Sequence, residues 1–276
     1  MTSESVKLSD NSAGPSSLNS CGTTLAEELA NARAQGQCLA LPTQPKSLQE
    51  AYQIQERVSQ ILGGEHRGWK VGSTSKAAQA RLGTSEPGAG RLLSPFVFED
   101  GAEVPVSTQH DVQLEVEFAF IVGETLRPRD QPYAMDEVRA AMDSFVPGIE
   151  VVGSRYCSGL AGAGPELVTA DGGANIAFVY GPSRPLSPDD DLAHRPCQLI
   201  INGEQAANGI GANALDGPFN VLLWLANHLS NRGMTLEAGH LVTTGTCTGL
   251  IAAAPGDKIS GRFGELGSVS FALSEL

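Results

Sequence analysis

The sequence predicts an α+β fold, and three observations predict it. Helical periodicity is concentrated near the start, apolar strand-like runs fill the second half, and no regular strand–helix alternation of the kind that builds a parallel sheet is present. The 276 residues, 41% of them hydrophobic, supply enough apolar material for a sizeable core.

Taken in order, residues 1–22 are rich in Ser, Asn and Gly and carry almost no large apolar side chain, so they form a disordered leader that cannot offset the entropy of ordering. Residues 23–276 form a single domain that opens with a helical segment. In TTLAEELANARAQG, Leu25, Leu29 and Ala32 recur at helical spacing, and SLQEAYQIQERVSQIL repeats the pattern with Leu48, Tyr52, Ile54, Val58 and Leu62. RGWKVGS is a short strand, SKAAQARLG a short helix, and TSEPGAG a loop whose Pro and Gly residues oppose regular structure. Further strands are predicted in VQLEVEFAFIV, PGIEVVG, NIAFVYG, CQLIINGEQ, HLVTTGT and SVSFAL. Asn202-Gly203 marks a type I′ hairpin. The helix FNVLLWLANHLSNRG ends on a Gly cap.

Charge and composition exclude several classes. A net charge of -13, from 31 acidic and 18 basic residues, repels a phosphate backbone, so nucleic acid is not expected as a partner. No stretch approaches the roughly 20 apolar residues of a membrane span, and the first residues lack the apolar centre of a signal peptide. A cytoplasmic protein is expected. The five cysteines are an odd number, with no C-x-x-C pair and no His at zinc-ligand spacing, so reduced, buried or incidental thiols are expected.

Three carboxylates carry the chemistry. Glu115 and Glu117 lie two apart on one strand, so both leave the same face while Leu114, Val116 and Phe118 leave the other. A bare E-x-E is commonly a solvated face, but Glu150 lies among Ile149, Val151 and Val152, where an unpaired charge is costly. Three carboxylates suit a hard cation, Mg2+ or Mn2+, better than zinc. Lys70, in GWKVG, is a candidate catalytic group, either as a fixed cation beside an anionic substrate or as an acid/base. Thr243, Thr244 and Gly245 follow an apolar strand and either form a plain strand-ending turn or offer hydroxyl and N–H groups to a substrate carboxylate, with Thr244 and Gly245 the expected substrate-binding residues. Glu65 and His66 form a weaker acid/base candidate. His110, His194, His228 and His240 have no evident partners.

Taken together, AYQIQ, GWKVGSTS, RLGTSEPGAGRL, EVEFAFIV, PGIEVVGSR and HLVTTG resemble the 2-keto-4-pentenoate hydratase and 4-oxalocrotonate decarboxylase branch of the fumarylacetoacetate hydrolase superfamily, from about residue 24 to the end. The resemblance implies a mixed β-roll flanked by helices, a homo-oligomer, and a lyase of aromatic catabolism. Such a lyase acts on a small 2-oxo acid or 2-hydroxydienoate through a metal-bound enolate. It assigns Glu115, Glu117 and Glu150 to the metal and Lys70 to the substrate. Two departures stand out. The family's E-P-D reads Glu86-Pro87-Gly88 here, and its D-N-x-S reads Asp171-Gly172-Gly173-Ala174, removing an acid, an amide and a hydroxyl. An acylpyruvate hydrolase and a silent subunit that binds a 2-oxo acid or stabilises a partner are the alternatives.

Overall fold

The computed structural model describes residues 18, 20–160, 162–187 and 189–276, so most of the expected leader lies outside the described residues. Helices α1 (Ser20–Gln35) and α2 (Leu48–Leu62) come first, α1 starting three residues ahead of its predicted Thr23. Helix α2 is capped reciprocally: the Ser47 hydroxyl accepts from the Glu50 N–H, and the Glu50 carboxylate accepts from the Lys46 N–H. There follow β1 (His66–Gly72), α3 (Lys76–Leu82), β2 (Gly88–Leu93), β3 (Val97–Glu99), β4 (Glu103–Val106) and β5 (Gln113–Val122). The middle holds α4 (Met135–Ala140), β6 (Met142–Val152), α5 (Gly164–Ala170), β7 (Asn175–Tyr180) and β8 (Arg184–Pro185). The rest comprises β9 (Pro196–Ile201), β10 (Glu204–Ile210), α6 (Pro218–Asn231), β11 (Leu241–Thr243), β12 (Ile251–Ala252), β13 (Lys258–Arg262) and β14 (Ser268–Glu275).

The strands form two mixed sheets, as the β-roll expectation requires. The larger runs β2-β1-β11-β5-β6-β7-β3, with β12 beside β5 and β8 beside β6; the smaller runs β10-β9-β13-β14-β4. Parallel pairs β1–β11 and β3–β7 stand in the first and β14–β4 in the second. One main core joins the sheets, with Phe263 lying 5.1 Å from Phe118 and 5.6 Å from Phe145 between ring centroids. Each such buried ring contributes about 1.5–3 kcal/mol of burial free energy. A second core, built by Leu25, Leu29, Ile54, Val58 and Leu167 among others, fastens α1, α2 and α5 into one helical layer.

Local signals account for much of this. Asn202 and Gly203 both adopt positive φ, 53° and 86°, and join β9 to β10. Helix α6 buries Val221, Leu222, Leu225 and Leu229, and Gly233, at φ 68°, turns the chain so that Met234 N–H reaches Leu229 C=O. Strand β6 runs five residues further back than PGIEVVG suggests, with Pro147 inside it. The Pro147 carbonyl accepts from Gly181, so its missing N–H faces that same edge, at the gap where β6 passes from β8 pairing to β7 pairing. No ladder bond is lost there.

Two expectations are corrected. Gly88–Gly90 do not belong to a loop; they pair with Lys70–Gly72 as the start of β2. Gly90 is needed because a Cβ there would lie 2.3 Å from the Gly172 carbonyl oxygen. Nor are the cysteines all reduced: Cys38 and Cys157 form a disulfide. Leu39 N–H donates to Arg155 C=O and Cys157 N–H donates to Leu39 C=O, which sets the two segments side by side with 5.0 Å between the cysteine Cα atoms. Cys21, Cys197 and Cys247 are free. No described helix is long and apolar enough to cross a membrane.

Candidate active site

Antiparallel pairing of β5 with β6 sets Glu115 directly opposite Glu150 and Glu117 opposite Gly148. All three carboxylates therefore leave one face, and an oxygen from each lies within 4.8 Å of the others. Glu117 and Glu150 are fully buried, while Glu115 is partly open to the cavity above. The parallel neighbour β1, reached through β11, brings Lys70 to the same face, with Nζ 3.3 Å from Glu150 Oε1 and donating to the Gly173 carbonyl at 2.8 Å. Its stem runs in a slot of glycines. A Cβ at Gly72 would lie 3.0 Å from Nζ, and one at Gly90 or Gly173 would lie 3.1 Å from Cδ.

The surrounding donors hold the carboxylates without saturating them. Gly245 N–H donates to Glu117 Oε2 at 2.7 Å, and Asn175 Nδ2 donates to Glu150 Oε1 at 2.9 Å. Asn175 is itself gripped by Arg33 of α1, which donates to its side-chain oxygen and its carbonyl. Glu117 Oε1 and Glu150 Oε2 remain buried with no hydrogen-bond partner. Burial and then the charge of Glu150 push Glu115 up to about 7, and the same causes hold Glu117 well above the usual carboxylate range. Burial alone lowers the Lys70 pKa, but Glu150, Glu115 and Glu117 outweigh it and keep the ammonium charged.

These features fit a divalent cation. Three ionised carboxylates against one lysine would leave two negative charges uncompensated, which together with burial is why Glu115 and Glu117 hold their protons upward of the usual range without a cation. The unpartnered oxygens are what oxygen-ligated cations take up. Glu115 and Lys70 line a cavity of about 400 Å³ walled by α2, α3, β2 and the segment leading into α5, and Glu117 and Glu150 lie buried behind them.

Other predicted residues fall differently. Thr244 and Gly245, expected to address a substrate carboxylate, turn inward: the Thr244 hydroxyl donates to Phe118 C=O and the Gly245 N–H is taken by Glu117. Burial on a strand end next to the triad decides this. Glu65 and His66 stay off the cavity, His66 packing edge-on against Trp69 and His240. Gly88 and Ala174 do line it, as does His228, which carried no expectation.

Residues 92–273 match the family described as Fumarylacetoacetate (FAA) hydrolase C-terminal. The chain belongs to the fumarylacetoacetate hydrolase family. It is 35% identical to the 2-keto-4-pentenoate hydratase of Paraburkholderia xenovorans over 81% of this chain and 82% of that one. To a 4-oxalocrotonate decarboxylase of Pseudomonas putida it is 33% identical over 89% of this chain and 94% of the other. Among solved structures, a 4-oxalocrotonate decarboxylase from Pseudomonas putida complexed with magnesium and adipate superposes with a TM-score of 0.82 at 30% identity, covering 91% of this chain and 97% of that one. Within this family the site stands on the part of the chain that the family match covers, apart from Lys70, Arg33 and the α2–α3 wall.

Proposed function

We propose that this protein is a divalent-metal-dependent lyase, of the hydratase or decarboxylase type, acting on a small 2-oxo acid or 2-hydroxydienoate. One observation carries the reading: three converging carboxylates with two unpartnered buried oxygens, beside a buried lysine, reached from a substrate-sized cavity that Glu115 and Lys70 line. Glu115, Glu117 and Glu150 would hold Mg2+ or Mn2+, which supplies Lewis-acid polarisation of the substrate's carboxylate and 2-oxo oxygens.

The chain's own groups do the rest. Glu150 and Gly173 take two of the three Lys70 N–H donors, and the third is left for a substrate oxygen. A fixed ammonium there stabilises negative charge as it develops on the 2-oxo oxygen, when C3 loses a proton or a C–C bond breaks. Of the two roles open to Lys70, the fixed cation agrees with its raised pKa. Water addition also requires a proton carrier at the distal carbons, and Gly88 offers none.

The test is deuterium incorporation at C3 of 2-oxopentanoate followed by NMR, with Mg2+, with chelator, and with Lys70→Ala. Metal-dependent exchange that falls about 10²-fold or more in the variant is expected; exchange indifferent to chelator would sink the proposal. Hydration of 2-hydroxypentadienoate is expected to be slow. A Cβ at Gly88 would meet nothing within 4 Å, so Gly88→Asp fits without strain and should raise the hydration rate by about 10²-fold or more. An unchanged rate would mean that another group already carries the proton.

A further inference from the structure

Arg33 lies in the last turn of α1, ahead of the stretch that the family match covers, and its guanidinium reaches the start of β7. Nη1 donates to the Asn175 carbonyl at 2.8 Å, while Nη2 donates to the Asn175 side-chain oxygen at 3.1 Å and to the Ile176 carbonyl at 2.9 Å. The guanidinium carbon stands 3.8 Å from the centroid of the Phe96 ring, which backs the fork from one face. A planar fork of this kind holds the backbone and the side chain of one residue at once.

The grip decides which way Asn175 faces. A guanidinium only donates, so the side-chain oxygen has to turn toward Arg33 and the NH2 group away from it. That NH2 donates to Glu150 Oε1 at 2.9 Å and to the Ala177 carbonyl at 3.4 Å. Lys70 Nζ also stands 3.3 Å from Glu150 Oε1. Two donors therefore gather on one oxygen of Glu150, and the other, Oε2, is left buried without a partner. The stretch just before Asn175 is where an amide and a hydroxyl are missing, at Gly172 and Ala174. Asn175 returns an amide to the cluster one residue later, and Arg33 fixes its position.

We infer that Arg33 is a positioning residue for the cation site: acting through Asn175, it keeps donors on Glu150 Oε1 and leaves Oε2 for the cation. A helix outside the family match thereby sets part of the metal affinity. This role rests on the reading of Glu115, Glu117 and Glu150 as metal ligands. A plain fastening of α1 to β7 would use the same hydrogen bonds but leave the metal indifferent to Arg33.

A double-mutant cycle read by Mg2+ calorimetry on the full chain tests it, with Arg33→Lys, Asn175→Ala and the two combined. Lysine keeps the positive charge but is a point donor that cannot hold both Asn175 oxygens, so a loss of affinity reports the fork rather than the charge. Arg33→Lys should weaken Mg2+ binding about ten-fold and Asn175→Ala at least as much, while the combination should be no weaker than Asn175→Ala alone. Unchanged affinity in Arg33→Lys, or effects that multiply in the combination, would overturn the assignment. A second measurement needs no metal. The Asn175 side-chain NH2 hydrogens, identified in NMR spectra by their loss in Asn175→Ala, should exchange with solvent about ten-fold faster in metal-free Arg33→Lys than in the metal-free wild type. Equal exchange would also overturn it. If the wild type binds neither Mg2+ nor Mn2+ while this exchange still depends on Arg33, the metal reading falls and Arg33 remains the residue that sets Asn175 on Glu150.

Discussion

Two sets of buried carboxylates lie close together in this protein and are treated in opposite ways. Asp171 is paired with Arg155, whose Nε donates to Oδ1 at 2.6 Å while the Arg155 backbone N–H donates to Oδ2, and the guanidinium's other donors reach the carbonyls of Asp171 and Asn175. The protein answers that charge completely from its own groups. Glu117 and Glu150 are as deeply buried, yet each keeps an oxygen without a partner, and both point to one place shared with Glu115. A saturated buried acid is a fastening; an unsaturated cluster of them is a receptor for something the chain does not contain.

The sharpest break between the two would come from removing one acid of each kind. Glu117→Gln should lower Mg2+ affinity by more than the roughly 10- to 100-fold typical of an outer partner, with no loss of melting temperature in metal-free protein. Asp171→Asn leaves Arg155 buried and unpaired and should destabilise the fold by about 3–5 kcal/mol, while the folded fraction keeps its metal affinity. Calorimetry and chemical denaturation measure the two. If the effects came out interchanged, the distinction between fastening and receptor would be lost.

Asn175 belongs to both sets, since its amide donates to Glu150 while its carbonyl accepts from Arg33 and Arg155. Asn175→Ala should therefore weaken Mg2+ binding by about 10- to 100-fold and also lower stability. A change in stability alone would assign Asn175 wholly to the fastening.

Histidines show a third way to bury a titratable group, which is to leave it uncharged. Burial and then Arg91 lower His66 to about 3, and burial and then Arg232 lower His228 to about 4; the Nε2 of each is buried without a partner. Both folded values lie below the unfolded value near 6.5, so between about pH 6.5 and 4 the unfolded chain binds protons that the folded chain refuses. Stability should fall as pH falls through that window. A His66→Gln, His228→Asn double variant should show a shallower fall in melting temperature, and an identical slope would count against the argument.

Much of the receptor was legible in the sequence. The two-residue spacing of Glu115 and Glu117 set a common face, and the apolar neighbours of Glu150 announced a buried charge. The fastening was not legible, because its contacts join Arg33, Arg155 and Asn175 largely through backbone carbonyls, across 142 residues in one case. Cys38 and Cys157, 119 residues apart among five cysteines, gave no signal of pairing before the segments were seen side by side. Strand β13, helix α4 and helix α5 were missed for a related reason. Each is five to seven residues long, too short for periodicity to separate from a turn. The glycines around Lys70 misled in the other direction, since GAG was read as a breaker when it starts β2 and its Gly90 leaves room for the lysine stem.

The cavity's walls come from two stretches of chain with different charge. Glu115, which carries the carboxylate cluster to the cavity, lies inside the family match with Glu117 and Glu150 behind it, while Lys70 and Arg81 come from the stretch that precedes it. The two stretches meet along a seam, and the pocket is that seam. Variation confined to residues 48–88 can thus retune which molecule enters and what becomes of it without touching the carboxylate cluster, much as a tool head is exchanged on a common handle. A chain built this way can change its chemistry by substitution on one side of the seam.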